Sequence, residues 1–272
     1  MFMEKLTNEN YYSKEANDYY MSASQFKDFC NCDKQALARV RGEIEEKQSN
    51  AMLFGSYIDA YFSGELERFK ETTPQLFKKD GTLYKDFENV YEVIHAIEND
   101  PLMLEYLNGK HQVIMTGEIE QVPFKIKIDS YIEGKAIVDQ KIMSSFSELV
   151  WVEKNGEHYK TDFIDAFGYD IQGAIYREIV RQNTGLTLPF IIAVATKEEN
   201  PDKALIRVDD YYLDKALDFV KKNCGKFAMM KQGILLPRGC GRCPTCRKDK
   251  KCEEVLSYEK LFNKVREEEV YE

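Results

Sequence analysis

Residues 117–141 read GEIEQVPFKIKIDSYIEGKAIVDQK, and this stretch decides the fold. From His111 onward the chain divides into three runs, HQVIMTGEI, VPFKIKIDSYI and KAIVDQKIM, in which apolar and β-branched residues alternate with polar ones. Side chains on a strand point to opposite faces in turn, so a period of two marks strands, and the EQ and EG breaks mark tight turns between them. A three-stranded antiparallel meander is expected. Asp139 and Lys141 then share one face, and a turn at Glu133-Gly134 can set Asp129 beside them. Carboxylates forced together repel, and a hard divalent cation, Mg²⁺ or Mn²⁺, relieves the repulsion by taking oxygen ligands. Such an ion lowers the pKa of a bound water and stabilises charge building on a phosphate. On spacing alone, a sheet with one wet face gives the same alternation of Asp and Lys.

Working outward, helical patterns precede the meander. Ser22 or Ser24 is placed to cap a helix running to about Arg41 and ended by Gly42. Further helices are expected over about Ala51 to Phe62 and Phe87 to Asn99, with Pro101 opening a new turn. Beyond the meander come a long helix from about Asp162 to Gln182, strands around Pro189 to Thr196 and Ala204 to Val208, and a helix from Asp210 to Lys231. A cysteine-rich loop over 237–252 and a C-terminal helix over 253–272 complete the chain, while residues 1–20 read as an irregular arm. Helices, a mainly antiparallel sheet and a return to helices indicate an α/β or α+β fold. No repeat or low-complexity linker interrupts the 272 residues, so one domain is expected.

The net charge of −9 argues against a sequence-independent nucleic-acid coat, which gains affinity from a broad basic face. It leaves room for an enzyme that gathers carboxylates around a metal. No apolar run is long enough to cross a bilayer and the acidic, tyrosine-rich start is unlike a signal peptide, so a cytoplasmic protein without a membrane partner is expected. Neither a glycine-rich phosphate loop nor a Gly-x-Ser-x-Gly elbow is present. His95, His111 and His158 show no ligand or triad spacing.

Four of the seven cysteines fall in Cys240-x2-Cys243-x2-Cys246-x5-Cys252. In a chain without a secretory signal, such clustering favours metal ligation over disulfides. As a local quartet, Cys240, Cys243, Cys246 and Cys252 suit tetrahedral Zn²⁺. Arg242 and Arg247, among other basic residues of this loop, are candidates for meeting a phosphate backbone, and Arg39 and Arg41 for a terminal phosphate.

The run TGEIEQVPFKIKIDSY…AIVDQKIMSS resembles the core of the PD-(D/E)xK nucleases, in which a glutamate-bearing strand leads to an aspartate strand and then to Asp/Glu-x-Lys. The resemblance implies a restriction-endonuclease-like core, a mixed and mainly antiparallel sheet flanked by helices. By position it makes Asp129 and Asp139 metal ligands, the Gln140 carbonyl a further ligand and Lys141 the catalytic lysine. Glu118 becomes the upstream acid, with Glu120 as the alternative. YDIQGAIYREIV is similar to the Gln-x3-Tyr motif of the RecE-type (exodeoxyribonuclease VIII) and lambda-exonuclease branch, which implies that Gln172 and Tyr176 position DNA near the metals. FGSYIDAYFSG stands where many relatives carry Gly-x3-His, with Asp59 in the histidine's place as a metal ligand. Gln140 and Ile142 are two further departures, where an apolar residue and threonine are usual.

This branch implies a phage-derived exonuclease that digests duplex DNA ends in recombination, hands single strands to an annealing protein and assembles as a homo-oligomeric ring. Separately, MSASQFKDFCNCDKQA resembles the first helix of iron-sulfur nucleases related to AddB, which implies a [4Fe-4S] cluster on Cys32, Cys243, Cys246 and Cys252. Two alternatives stay open: an iron-sulfur nuclease of the CRISPR-adaptation or helicase-associated type, and a non-catalytic DNA-binding or zinc-ribbon adaptor.

Overall fold

Hydroxyl and carboxylate caps set where the helices begin. In the computed structural model, which describes residues 5–44, 48–154, 157–248, 250–252 and 254–259, helix α1 (Lys14–Tyr19) starts behind Ser13, whose hydroxyl accepts the Ala16 N–H. Ser22 does the same for α2 (Ala23–Asn31) through the Gln25 N–H. The helix expected to reach Arg41 is divided, because Cys32 turns extended (φ −164°, ψ 110°) and a second helix, α3 (Asp33–Val40), restarts behind it. Ser49 caps α4 (Asn50–Phe62), and α5 (Leu66–Thr72) and α6 (Val90–Glu98) follow. Asp100 caps α7 (Pro101–Leu107), with the proline at the first helical position, where no N–H is needed.

The meander forms as β1 (Lys110–Ile119), β2 (Val122–Ile132) and β3 (Ala136–Met143). A separate hairpin, β4 (Val150–Lys154) with β5 (Glu157–Thr161), lies between the meander and the helix expected from about Asp162. The helix expected over 162–182 is also divided. Gly168 adopts φ +62°, the left-handed exit that glycine takes without a Cβ clash, so α8 (Phe163–Phe167) ends there and α9 (Tyr169–Thr184) begins. Strands β6 (Phe190–Thr196) and β7 (Lys203–Arg207), then helices α10 (Asp210–Lys231) and α11 (Pro244–Lys248), complete the order. The C-terminal helix expected over 253–272 falls mostly outside the described residues.

The main sheet runs β1-β2-β3-β6-β7, antiparallel except for the parallel pair β3–β6. Helices cover both faces. One core joins Ile137, Phe190, Ile192 and Val194 to α2, α9 and α10; the other joins Val138, Ile191, Ala193 and Ala195 to α4, α6 and α7. Alternate residues of one strand therefore serve opposite cores, and β6, flanked on both sides and covered on both faces, is buried throughout. This is the α/β sandwich expected from the order of elements, with the mixed and mainly antiparallel sheet that the nuclease resemblance implied.

The N-terminal arm is more ordered than its sequence suggests. Leu6, Tyr11 and Ala16 bury together against the sheet, and the ammonium of the buried Lys125 donates to the Tyr11 carbonyl and to Asn17 Oδ1. Met21 then pairs with the edge of β2: its N–H donates to the Pro123 carbonyl and its carbonyl accepts from the Lys125 N–H. Among the described residues no helix is long and apolar enough to cross a membrane.

Candidate nuclease active site

The ladder between β2 and β3 holds only from Ile132–Ala136 to Ser130–Val138, although both strands continue past it. Where pairing stops, the Gln140 N–H would be left unsatisfied, and the Asp129 carboxylate takes it instead, accepting at 2.9 Å. The strands open into a cleft of about 490 Å³ at this point. Asp129 and Asp139 line it from the two diverging strands, with Lys141 one alternate position beyond Asp139.

Each of these groups is held from more than one direction. Asp139 is buried, and its Oδ1 accepts a 2.6 Å hydrogen bond from Gln172 Nε2 on α9. Its Oδ2 pairs with the Lys141 ammonium at 2.5 Å. Lys141 also donates to the Gln140 carbonyl at 3.2 Å and lies over the Tyr169 ring. Burial alone would lower the Lys141 pKa, but Asp139 and Asp129 outweigh it and raise it, so the ammonium stays charged. Asp129 moves the other way for a carboxylate. Burial, then the charges of Asp139 and Asp59, push its pKa well above the usual range.

The third acid comes from a helix. Asp59 on α4 lines the cleft, and both of its oxygens accept from Gln112 Nε2, at 3.3 and 3.2 Å. Gln112 stands opposite Asp129 between the pairs His111–Ser130 and Val113–Ile128, in a left-handed conformation with φ +52°. Non-glycine residues hold such a conformation where their surroundings impose it. The β1 side chain nearest the cleft is therefore Gln112. Glu118 is exposed and pairs with Pro123, six residues along β2 from Asp129, or roughly 20 Å at strand rise. The structure does not bring Glu118 into the site; Glu120, in the turn after β1, is exposed as well.

Gln172 and Tyr176 do meet the cleft, but their polar ends are used inside the protein. Gln172 donates to Asp139 and accepts from Lys27 Nζ at 3.5 Å, while the buried Tyr176 hydroxyl donates to the Lys127 carbonyl at 3.0 Å. They brace the two acid-bearing strands against α9. Of the expected arginines, Arg39 lines the cleft and pairs with Asp28 at 2.8 Å. Arg41, Arg242 and Arg247 are not among the residues that line it.

Several lining residues carry no spacing signal of their own. Lys27 reaches the cleft from α2, donates to the Phe167 carbonyl at 3.1 Å, and is pushed down to about 8 by burial, with Lys141 adding to the effect. Its stem passes so close to Gly168 that a Cβ there would sit 2.9 Å from Lys27 Cδ. Lys127 completes the basic wall, stacked over Tyr12 and Tyr11. Periodicity could mark Lys27 as a polar residue on a helix, but only the packing of α2 against α9 turns it inward.

The donor set suits a divalent cation. Burial and the neighbouring charges of Asp139 and Asp59 make ionisation of Asp129 costly. A hard cation would offset that cost. The Gln140 carbonyl is adjacent, as a further ligand must be, although Lys141 donates to it here.

The cysteines group differently from either expectation. Cys32, Cys240, Cys243 and Cys246 have all their sulfur atoms within 4.8 Å of one another. Cys252 is exposed and stands outside this group. The turn at Cys32 between α2 and α3 sends its thiol to the loop, so Cys32 replaces Cys252 of the expected zinc quartet and Cys240 replaces Cys252 of the expected iron-sulfur set.

No curated protein matches the chain. A solved structure from Eubacterium rectale, described as a "putative exonuclease", is 43% identical, covers 97% of this chain and 100% of its own, and superposes with a TM-score of 0.88. Residues 22–249 match the family described as a PDDEXK-like domain of unknown function (DUF3799). That span holds the diverging strands, the braced carboxylates and the lysine alike, so the chain belongs to this PDDEXK-like family, and the family and the solved neighbour together support a nuclease.

Proposed function

We propose that the chain is a metal-dependent exodeoxyribonuclease that hydrolyses phosphodiester bonds at duplex DNA ends. The observation that carries this reading is the convergence of Asp129, Asp139 and Lys141 on the floor of one cleft, at the point where two strands part. Nucleases of this fold use divalent metal ions. Asp129 and Asp139, with Asp59 opposite, would hold Mg²⁺ or Mn²⁺, which when bound lowers the pKa of water and offsets charge on the phosphate. Lys141 stays protonated beside Asp139 and supplies a fixed positive charge where the transferred phosphate gathers negative charge. Gln172 fixes the orientation of Asp139, and Lys27, Arg39 and Lys127 give a wall on which a phosphate backbone can lie in an otherwise acidic protein. The description of the Eubacterium rectale protein favours attack at ends over internal cutting. By the same reading the single strands left behind serve recombination through an annealing partner.

The test is digestion of linear duplex labelled at either end, with closed circles as a second substrate, in the presence and absence of Mg²⁺. Metal-dependent loss from one end, abolished in Asp139→Ala and Lys141→Ala proteins that still melt cooperatively, is the expected result. Cutting of closed circles would replace exonuclease by endonuclease. Near-normal rates in both variants would refute the assigned site.

A further inference from the structure

We infer that Cys32, Cys240, Cys243 and Cys246 form a mononuclear tetrathiolate zinc site that ties the cysteine loop to the corner between α2 and α3. The sulfur spacing decides the nuclearity. Cys32 Sγ lies 3.6 Å from Cys246 Sγ and 3.7 Å from Cys243 Sγ, and Cys240 Sγ lies 4.0 Å from Cys246 Sγ. Four thiolates about 2.3 Å from one zinc ion stand about 3.8 Å apart at the corners of a tetrahedron. A [4Fe-4S] cube places iron and sulfide between its cysteines and holds their sulfurs at roughly 6 Å, farther than the 4.8 Å that contains this whole group. The observed spacing has room for one ion.

The backbone is shaped around the sulfurs. The N–H groups of Arg242 and Cys243 donate to Cys240 Sγ at 3.4 and 3.2 Å, and the Cys246 N–H donates to Cys243 Sγ at 3.4 Å. Such donors favour the thiolate, the form a metal requires. Gly241 makes the first turn with φ +74°, and a Cβ at Gly239 would lie 2.8 Å from Cys246 Sγ, so the chain approaches as closely as only glycine permits. Zn²⁺ with four thiols releases four protons and leaves a net charge of −2, in a loop that also carries Arg238, Arg242, Arg247 and Lys248.

Cys32 makes the site a clamp. It is buried at the break between α2 and α3 and comes from the opposite end of the chain. The loop is tied to the same corner by the Lys34 N–H donating to the Arg238 carbonyl at 3.2 Å and by Asp33, which accepts from the Arg238 N–H and pairs with Lys226. Helices α2 and α3 bring Lys27 and Arg39 to the nuclease cleft, so the ion would fix the wall of the active site from outside it.

The experiment is metal and acid-labile sulfide analysis of protein purified under nitrogen, together with Co²⁺ titration of protein stripped of metal. Expected are one zinc per chain, no labile sulfide, and the strong thiolate-to-cobalt charge-transfer absorption of a tetrahedral site at one equivalent. Cys240→Ser should lose the metal and melt several degrees lower, whereas Cys252→Ser should keep both metal and melting temperature. About four irons with four sulfides per chain, loss of metal in Cys252→Ser, or no uptake of zinc or cobalt by the stripped protein would each overturn the assignment. Should Cys240→Ser fail to fold, the Cys252→Ser result and the titration still decide. Metal content is read without DNA, so the outcome does not depend on cleavage.

Discussion

Replacing Gln172 by leucine separates the two roles this residue can have. Its Nε2 donates at 2.6 Å to Asp139 Oδ1, and the Asp139 side chain is only 3% exposed, so no water can easily replace the bond. A hydrogen bond to a buried charged group contributes about 1.5–3 kcal/mol. At about 1.4 kcal/mol per decade, its loss corresponds to roughly a 10- to 150-fold fall if the full term is felt at the metal-binding carboxylate. Partners that orient metal ligands show effects of about 10- to 100-fold in the same range. The assay is the initial rate of duplex digestion across a Mg²⁺ series and, separately, a DNA series. A positioning role predicts a lower maximal rate and a higher half-saturating Mg²⁺, with the DNA dependence little changed and the fold retained. Gln172→Glu should be worse, since it sets a second carboxylate against Asp139. If Gln172→Leu weakens DNA binding and leaves the Mg²⁺ dependence untouched, the residue reads DNA and the bracing argument fails.

Three further outcomes are expected. A Cβ at Gly173 would lie 2.5 Å from the buried Phe190 ring and 2.9 Å from Leu213, so Gly173→Ala should cost about 1–3 kcal/mol in urea unfolding; unchanged stability would show that α9 can lift from β6 at no cost. Asp59→Asn should reduce metal-dependent cleavage at least tenfold, whereas Glu118→Ala, at an exposed position, should leave cleavage unaltered and stability within about 0.5 kcal/mol; the reverse order would restore Glu118 as the third acid. Burial, with Lys125 adding to it, pushes Lys231 down to about 7, so between about pH 7 and 10 the unfolded chain binds more protons than the folded one. Stability should therefore rise with pH across that window, and the rise should be shallower in Lys231→Met; identical slopes in urea midpoints at pH 7, 8 and 9 would contradict this.

Local patterning carried the sheet and the heart of the site. Strand alternation is a local property, so β1, β2 and β3 and the shared face of Asp139 and Lys141 were legible from residues 111–143. The order of helices and strands was enough for an α/β sandwich, and α10 fell at Asp210–Lys231 as its pattern indicated. Where single residues redirect the backbone, the periodicity gave no warning: Cys32 and Gly168 each divide a helix that the apolar spacing runs through. What fills the site around the central trio came from register and packing. The antiparallel register carries Glu118 away and sets Gln112 opposite Asp129, because position along a strand converts directly into distance. Packing of α9 on the sheet turns Gln172 and Tyr176 inward to brace β2 and β3, and packing of α2 brings Lys27 to the same cleft. Resemblance had set Cys32 with Cys243 and Cys246, more than two hundred residues away, but the local spacing of the loop put Cys252 in the group where the fold puts Cys240. Contacts over that separation depend on how layers pack, and no local pattern encodes them.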